Sequence, residues 1–328
     1  MTPDTASTIP LVSLDDIRAA AGRIRGIAVH TPALALAWPG PADDPHRFFV
    51  KCENLQPMGA FKVRGAFNML AQLTPEARAR GVITYSSGNH GQGVAMAAQA
   101  MGAHAVIVMP TTAPAVKVEG VKSYGAEVIF AGTTSLDRQK RAEEEVEKRG
   151  LSMIPPFDHP MIIAGQGTVG LELLEQVPDL GTVYVPMGGG GLIAGVSAAI
   201  KLSRPDVRVV GVEPAGAAKM TAARAAGAPV TLPGSASIAD GLMNLRAGAT
   251  TFAHVQRYVD ELVTVPDDAI RRAVAWLYRK GRLVVEPSGA AATTAVMLGL
   301  GTPAGTVAAI VSGGNVQAEQ FAGYITGN

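Results

Sequence analysis

The sequence predicts an α/β protein whose strands form mostly parallel sheets flanked by helices. Three observations carry that reading. Short apolar runs alternate with helix-length patterns along the chain. The runs are continuously hydrophobic rather than alternating, as in strands covered by helices on both faces. Glycine-rich turns join several runs directly to the helical pattern that follows, which is how β-α units are built.

Val82–Ser86 is the first well-marked strand, and Asn89–Met101 is its crossover helix. Ala105–Met109 is wholly apolar and leads to the helical pattern Pro114–Tyr124. Glu127–Ala131 follows, then Ser135–Lys148. Asp137 to Arg149 is densely charged and reads as a solvated outer face with charge pairs one turn apart. Thr182–Met187 runs into a glycine loop and the helix Leu192–Leu202, and Val207–Val212 and Thr306–Val311 complete the strands. Upstream, the apolar run Phe48–Cys52 precedes Lys62, which is expected directly after a buried strand. The block 79–152 is expected to be a small α/β domain inserted into a larger one made of 1–78 and 153–328.

The 328 residues suffice for two domains and a large core. A net charge of +1 argues against nucleic acid or an anionic membrane as the main partner. The single cysteine, Cys52, excludes a disulfide framework and reads as a core thiol. No apolar stretch reaches the length of a membrane span. Met1 to Val12 lacks a signal-peptide pattern, so a cytoplasmic protein is the expectation. Neither CxxC nor HExxH occurs, and the six histidines are scattered.

Four segments carry chemistry. Lys62 stands in Gly59-Ala60-Phe61-Lys62-Val63-Arg64-Gly65-Ala66, an apolar, small-residue setting. Desolvation there lowers an amine's pKa and frees it to condense with an aldehyde, although a lysine snorkelling from a core strand has similar neighbours. Gly188 to Gly191 lie between strand and helix, where bare backbone N–H groups and the helix dipole favour an anion. No GK[ST] follows and GxGxxG is absent from the first β-α turn, so a small phosphate ester fits better than a nucleotide. Ser86-Ser87-Gly88-Asn89-His90 offers hydroxyl, backbone and amide donors at a helix start, suited to a carboxylate or phenolate; as an isolated segment it reads more readily as an N-cap by Ser86 or Ser87. Ser312-Gly313-Gly314-Asn315 ends the last strand, where ligands of open α/β sheets bind.

A desolvated lysine, a phosphate cradle and two donor loops describe a pyridoxal phosphate site. The chain resembles the fold type II pyridoxal phosphate (PLP) enzymes, in the branch of the serine/threonine dehydratases and serine racemase. The motifs that carry the resemblance include Val29-His30-Thr31-Pro32, Lys51-Cys52-Glu53-Asn54-Leu55-Gln56, the Lys62 segment, Ala164-Gly165-Gln166-Gly167-Thr168, the glycine loop, Ile238-Ala239-Asp240-Gly241, Val285-Glu286-Pro287-Ser288-Gly289-Ala290 and Ser312-Gly313-Gly314-Asn315. The resemblance implies two open, mostly parallel sheets flanked by helices. It implies that Lys62 holds PLP and takes the α-proton, with Phe61 beside it. Gly188, Gly189, Gly190 and Gly191 would bind the phosphate, Asn89 the ring hydroxyl and Ser312 the pyridine nitrogen. Ser86, Ser87, Gly88, Asn89, His90 and Gly241 would bind substrate, and Ser87 would act from the opposite face. A serine at the ring nitrogen leaves the pyridine neutral and a weaker electron sink, which favours elimination.

The chain departs from the family pattern at a cation site. Glu213 and Ala217 match, but Lys219 stands where an aspartate is usual, so no metal is expected; Lys219 either takes the cation's place or points to solvent. Because the chain ends soon after Asn315, no regulatory domain is expected, which suits a catabolic or specialised enzyme. The expected reaction is dehydration and deamination of a β-hydroxy amino acid, threonine or serine, to a 2-oxo acid and ammonia. Racemisation on the same scaffold and a non-catalytic phosphate-binding protein are the alternatives. The expected partners are a small amino acid and other copies of the chain, as a homodimer or higher homo-oligomer.

Overall fold

The computed structural model describes residues 9–86, 88–113 and 115–327, with the side chain of Val116 excepted. Among the described residues, ten strands form two sheets. They are β1 (Ala33–Leu36), β2 (Phe48–Cys52), β3 (Val82–Tyr85), β4 (Ala105–Met109), β5 (Glu127–Phe130), β6 (Ser152–Met153), β7 (Leu180–Pro186), β8 (Arg208–Pro214), β9 (Glu261–Val265) and β10 (Thr306–Val311). The larger sheet has the order β1-β2-β10-β7-β8-β9, and the smaller β5-β4-β3-β6. Every pairing is parallel except β1 with β2.

Burial follows the parallel geometry. All six residues of β10 are buried. Val307, Ala309 and Val311 enter one core, and Ala308 and Ile310 enter the core on the opposite face. β4 likewise sends Ala105, Ile107 and Met109 to one side and Val106 and Val108 to the other. A strand packed on both faces has no polar alternation to show. β5 is an edge strand and is only partly covered; its Phe130 is half exposed.

The predicted elements lie within a few residues of the observed ones, and the helix after the glycine loop begins at Gly191. Lys62 is the main correction. It does not follow a strand directly: β2 ends at Cys52, a 3-10 turn covers Glu53–Leu55, and Lys62 opens the helix Lys62–Leu70. Small buried residues at Val63, Gly65 and Ala66 suit a helix wedged between two others as well as they suit a strand.

Topology brings the chemical segments together. β2, β10 and β7 are parallel neighbours, so their carboxyl ends share one edge of the sheet. β10 ends in Ser312, β7 runs into the glycine loop, and the chain beyond β2 returns through Ala60, which bridges Gly313.

Candidate active site

Lys62 is held by the packing of three helices. Its helix crosses the helix Pro160–Gln176 at Gly65 and Gly165; a Cβ on Gly165 would lie 2.6 Å from the Gly65 Cα. The same central helix crosses Gly191–Ser203 at Gly167 and Gly195, where a Cβ on Gly195 would lie 2.4 Å from the Gly167 amide nitrogen. Backbones this close admit only glycine. The central helix therefore sets the distance between Lys62 and the glycine loop, since each begins a helix packed against it.

A buried ion network anchors the first turn of the Lys62 helix. The Arg64 guanidinium donates to Glu53 at 2.7 and 2.8 Å, to Glu172 at 2.5 and 2.8 Å, and to Thr168 Oγ1 at 3.1 Å. Lys51 Nζ adds Glu172 and the Thr31 carbonyl, each at 2.6 Å. Two cations face two carboxylates, so the buried charge balances.

The Lys62 Nζ donates to the Pro156 carbonyl at 2.6 Å and lies 5.2 Å from the centre of the Phe61 ring. The residue keeps some contact with solvent, yet protein surrounds the ammonium closely enough for desolvation to lower its pKa to about 8. Phe157, next to Pro156, packs on the glycine loop: a Cβ on Gly189 would meet its ring at 2.4 Å. One short segment thus touches both the amine and the loop.

Gly189, Gly190 and Gly191 are buried, and among the described residues the amides of Gly188 to Gly191 find no protein acceptor. The helix Gly191–Ser203 has no side-chain cap, and Gly190 takes φ 101°, a conformation L side chains rarely adopt. The Thr251 hydroxyl holds the Gly189 carbonyl at 2.7 Å, and Asp158 caps the helix that carries Thr251. Buried unpaired donors at a helix N-terminus are unfavourable unless an anion takes them.

The other donors converge on Gly313. A Cβ there would lie 2.4 Å from Glu286 Oε1 and 3.2 Å from Asn89 Nδ2. Asn89 donates from Nδ2 to Glu286 Oε1 at 2.7 Å, and its Oδ1 accepts from Asn315 Nδ2 at 2.9 Å. Ser312 is buried, its carbonyl accepts from the Phe61 amide at 3.1 Å, and its hydroxyl has no hydrogen bond among the described residues. Ser86 Oγ accepts from the Gly88 amide at 3.2 Å, bracing the turn; Gly88 is the helix N-cap, so Ser86 does not cap it. Ser87 lies outside the described residues. His90 turns into the protein and donates from Nε2 to the Ile154 carbonyl at 3.1 Å. Desolvation, then the Lys62 charge, lowers its pKa to about 3, so it is neutral at physiological pH. Gly241 sits beside the glycine loop, its carbonyl 3.0 Å from where a Cβ on Gly188 would stand.

Residues 26–313 match the sequence family described as pyridoxal-phosphate dependent enzyme. The chain belongs to this family. It is 41% identical over 306 residues to the L-threonine ammonia-lyase of Thermotoga maritima, covering 93% of this chain and 76% of that one. It is 47% identical over 243 residues to the biosynthetic L-threonine dehydratase of Escherichia coli, covering 74% of this chain and 47% of that one. The chain thus spans about half the length of the second relative. Maize serine racemase superposes with a TM-score of 0.91 at 38% identity, covering 97% of this chain and 98% of the racemase.

As a pyridoxal-phosphate dependent enzyme the chain has suitable groups for each end of its cofactor: an amine for the aldehyde, unpaired amides for the phosphate and a hydroxyl at a strand end. Sequence reasoning quoted Glu286 in a motif but gave it no role. Desolvation, then repulsion from Asp240, raises its carboxyl to about 8 against the Asn89 hydrogen bond. The available signal is a carboxylate between apolar Val285 and the helix-opening Pro287. Lys117 reaches across from the helix Ala115–Lys122 to pair with Asp240, beside a cavity of about 500 Å³ that Glu286 and Asn315 line. Among the described residues no cluster of His, Cys, Asp or Glu has a metal-binding arrangement, and no helix is long and apolar enough to cross a membrane.

Proposed function

We propose that this enzyme is an ammonia-lyase for a β-hydroxy amino acid of the threonine or serine class. The observation that carries the reading is the desolvated Lys62 amine and the unpaired Gly188–Gly191 amides, tied to one segment by Pro156 and Phe157. The likeness to a threonine ammonia-lyase supports the reaction type.

Bound pyridoxal phosphate supplies the electron sink that acidifies the substrate α-carbon. The chain's own groups do the rest. The Lys62 amine, whose pKa desolvation lowers to about 8, is the chain's group placed to accept the α-proton. The amides of Gly188 to Gly191 would hold the phosphate dianion, the Asn89 amide the ring hydroxyl, and Gly88, Gly241 and the start of the helix at Asn89 would orient the substrate carboxylate. The neutral Ser312 hydroxyl would face the ring nitrogen without protonating it, which would favour loss of the β-hydroxyl over transamination. Water leaves from the α- and β-carbons, and the released enamine tautomerises and takes up water, giving a 2-oxo acid and ammonia.

Supplied with PLP and a panel of β-hydroxy amino acids, the enzyme should release 2-oxo acid and ammonia in equal amounts from at least one L-substrate. Borohydride reduction should fix the pyridoxyl group on Lys62, as read by mass spectrometry. A pyridoxyl group on another lysine would refute the assignment. The likeness to maize serine racemase favours racemisation as a second activity. Ser87→Ala should then suppress formation of the D-isomer more than elimination from the L-substrate.

A further inference from the structure

Lys219 is a buried cation that the proposed chemistry does not use. It opens the helix Lys219–Ala226, is 0% exposed, and turns inward rather than to solvent. Its Nζ lies 2.8 Å from the Ala217 carbonyl, 2.9 Å from the Leu242 carbonyl, 3.3 Å from the Met187 carbonyl and 3.1 Å from Glu213 Oε1. Glu213 is equally buried and accepts from the Met220 and Thr221 amides and the Thr221 hydroxyl.

These four acceptors come from different parts of the chain. Met187 is the residue before Gly188. Leu242 ends the 3-10 turn Asp240–Leu242, whose Gly241 carbonyl lies beside Gly188. Ala217 ends a second 3-10 turn, Ala215–Ala217, and Glu213 lies within β8. Three carbonyl oxygens and a carboxylate repel one another when they point at one spot. An ammonium at that spot replaces the repulsion with charge-assisted hydrogen bonds. Burial disfavours the charge and Glu213 restores it, so the lysine is lowered from its ordinary pKa by desolvation and held up by the pair.

We infer that Lys219 is a positioning residue for the phosphate cradle, its ammonium pinning Met187 and Leu242 so that the Gly188–Gly191 amides keep their aim. The inference rests on reading the glycine loop as the phosphate site. Because the cation is part of the chain, the cradle's geometry is independent of free metal ions.

The test compares PLP with pyridoxal, which lacks the phosphate, by titrating apoenzyme and following absorbance. In Lys219→Met the affinity for PLP should fall about tenfold or more, the effect of losing charged hydrogen bonds at one end of the loop, while pyridoxal affinity changes less than about twofold. Propylammonium, present while Lys219→Ala refolds, should restore the preference for the phosphate. Equal losses for both ligands would reduce Lys219 to a general structural role and overturn the inference. A Gly189→Val control separates the two readings. If that variant binds PLP normally, the cradle reading itself fails; if it weakens PLP and Lys219→Met does not, only the Lys219 inference fails. Should neither Lys219 variant fold, the wild-type enzyme decides. Its PLP affinity at constant ionic strength should be the same in potassium, magnesium or tetramethylammonium chloride after chelation, and a requirement for a metal cation would refute the inference.

Discussion

The helix crossing at Gly165 links a single methyl group to catalysis. In Gly165→Ala the new Cβ would stand 2.6 Å from the Gly65 Cα, 2.7 Å from the Arg64 carbonyl oxygen and 2.9 Å from its carbon. All three are backbone atoms, so no rotamer change relieves them. Reaching an ordinary 3.4 Å contact requires the helices to separate by about 0.8 Å. Overpacking of this kind costs roughly 1–3 kcal/mol. Alanine's better helix propensity offsets roughly 1 kcal/mol of that. The net loss should be modest, within what the fold tolerates. The catalytic effect should be larger, because the separation carries Lys62 away from the helix that bears the glycine loop. A displacement near 1 Å costs on the order of 100-fold in rate. The assay pairs a urea midpoint with kcat/KM for 2-oxo acid release. Gly22→Ala is the control, since its Cβ would meet nothing within 4 Å. If Gly165→Ala matches that control in both stability and rate, the crossing does not position Lys62 and the reasoning fails.

Other outcomes follow from the same site. Lys62→Ala should keep the fold but lose 2-oxo acid release entirely, with no pyridoxyl group retained after borohydride; residual turnover above background would contradict its role as the base. Arg64→Met leaves the fully buried Glu53 and the partly buried Glu172 without their shared cation and should destabilise by roughly 3–5 kcal/mol in urea unfolding; a change under about 1 kcal/mol would mean that Lys51 alone suffices. Glu286, raised to about 8, keeps its proton in the folded state where the unfolded chain has lost it, so the stability present below the unfolded value near 4.5 is lost as pH rises toward 8. Apo Glu286→Gln should therefore gain melting temperature over wild type between pH 5 and pH 8, and a parallel pair of pH profiles would show that Glu286 is ionised throughout.

The legibility of the chain tracked burial. β4 and β10 are buried along their whole length, and continuous apolar runs announced them. β1, β6 and β9 are at sheet edges, and β6 has two residues. No strand was predicted at these places, because a half-covered strand need not differ from a loop in composition; β5, also at an edge, was legible through its apolar Val128-Ile129-Phe130. Glu286 was overlooked for a different reason. Its raised pKa comes from surroundings that include Asp240 and Asn89, residues far from it in sequence.

The sequence by itself determined the alternation of strand and helix, the glycine-rich turns at strand ends and the lysine in a small-residue segment. Those properties are local: side-chain period, a missing Cβ, a stretch with no room for solvent. Tertiary structure decided what the local signals serve. Gly165 and Gly167 look like flexible residues in the sequence, yet they are contact points that set the spacing between Lys62 and Gly191. Lys219, read from the chain alone, suits a solvated surface as well as a buried site; four acceptors from separate elements make it a buried cation. Convergence of distant backbone oxygens depends on how β7, β8 and the turns after them pack, and no local pattern encodes that arrangement.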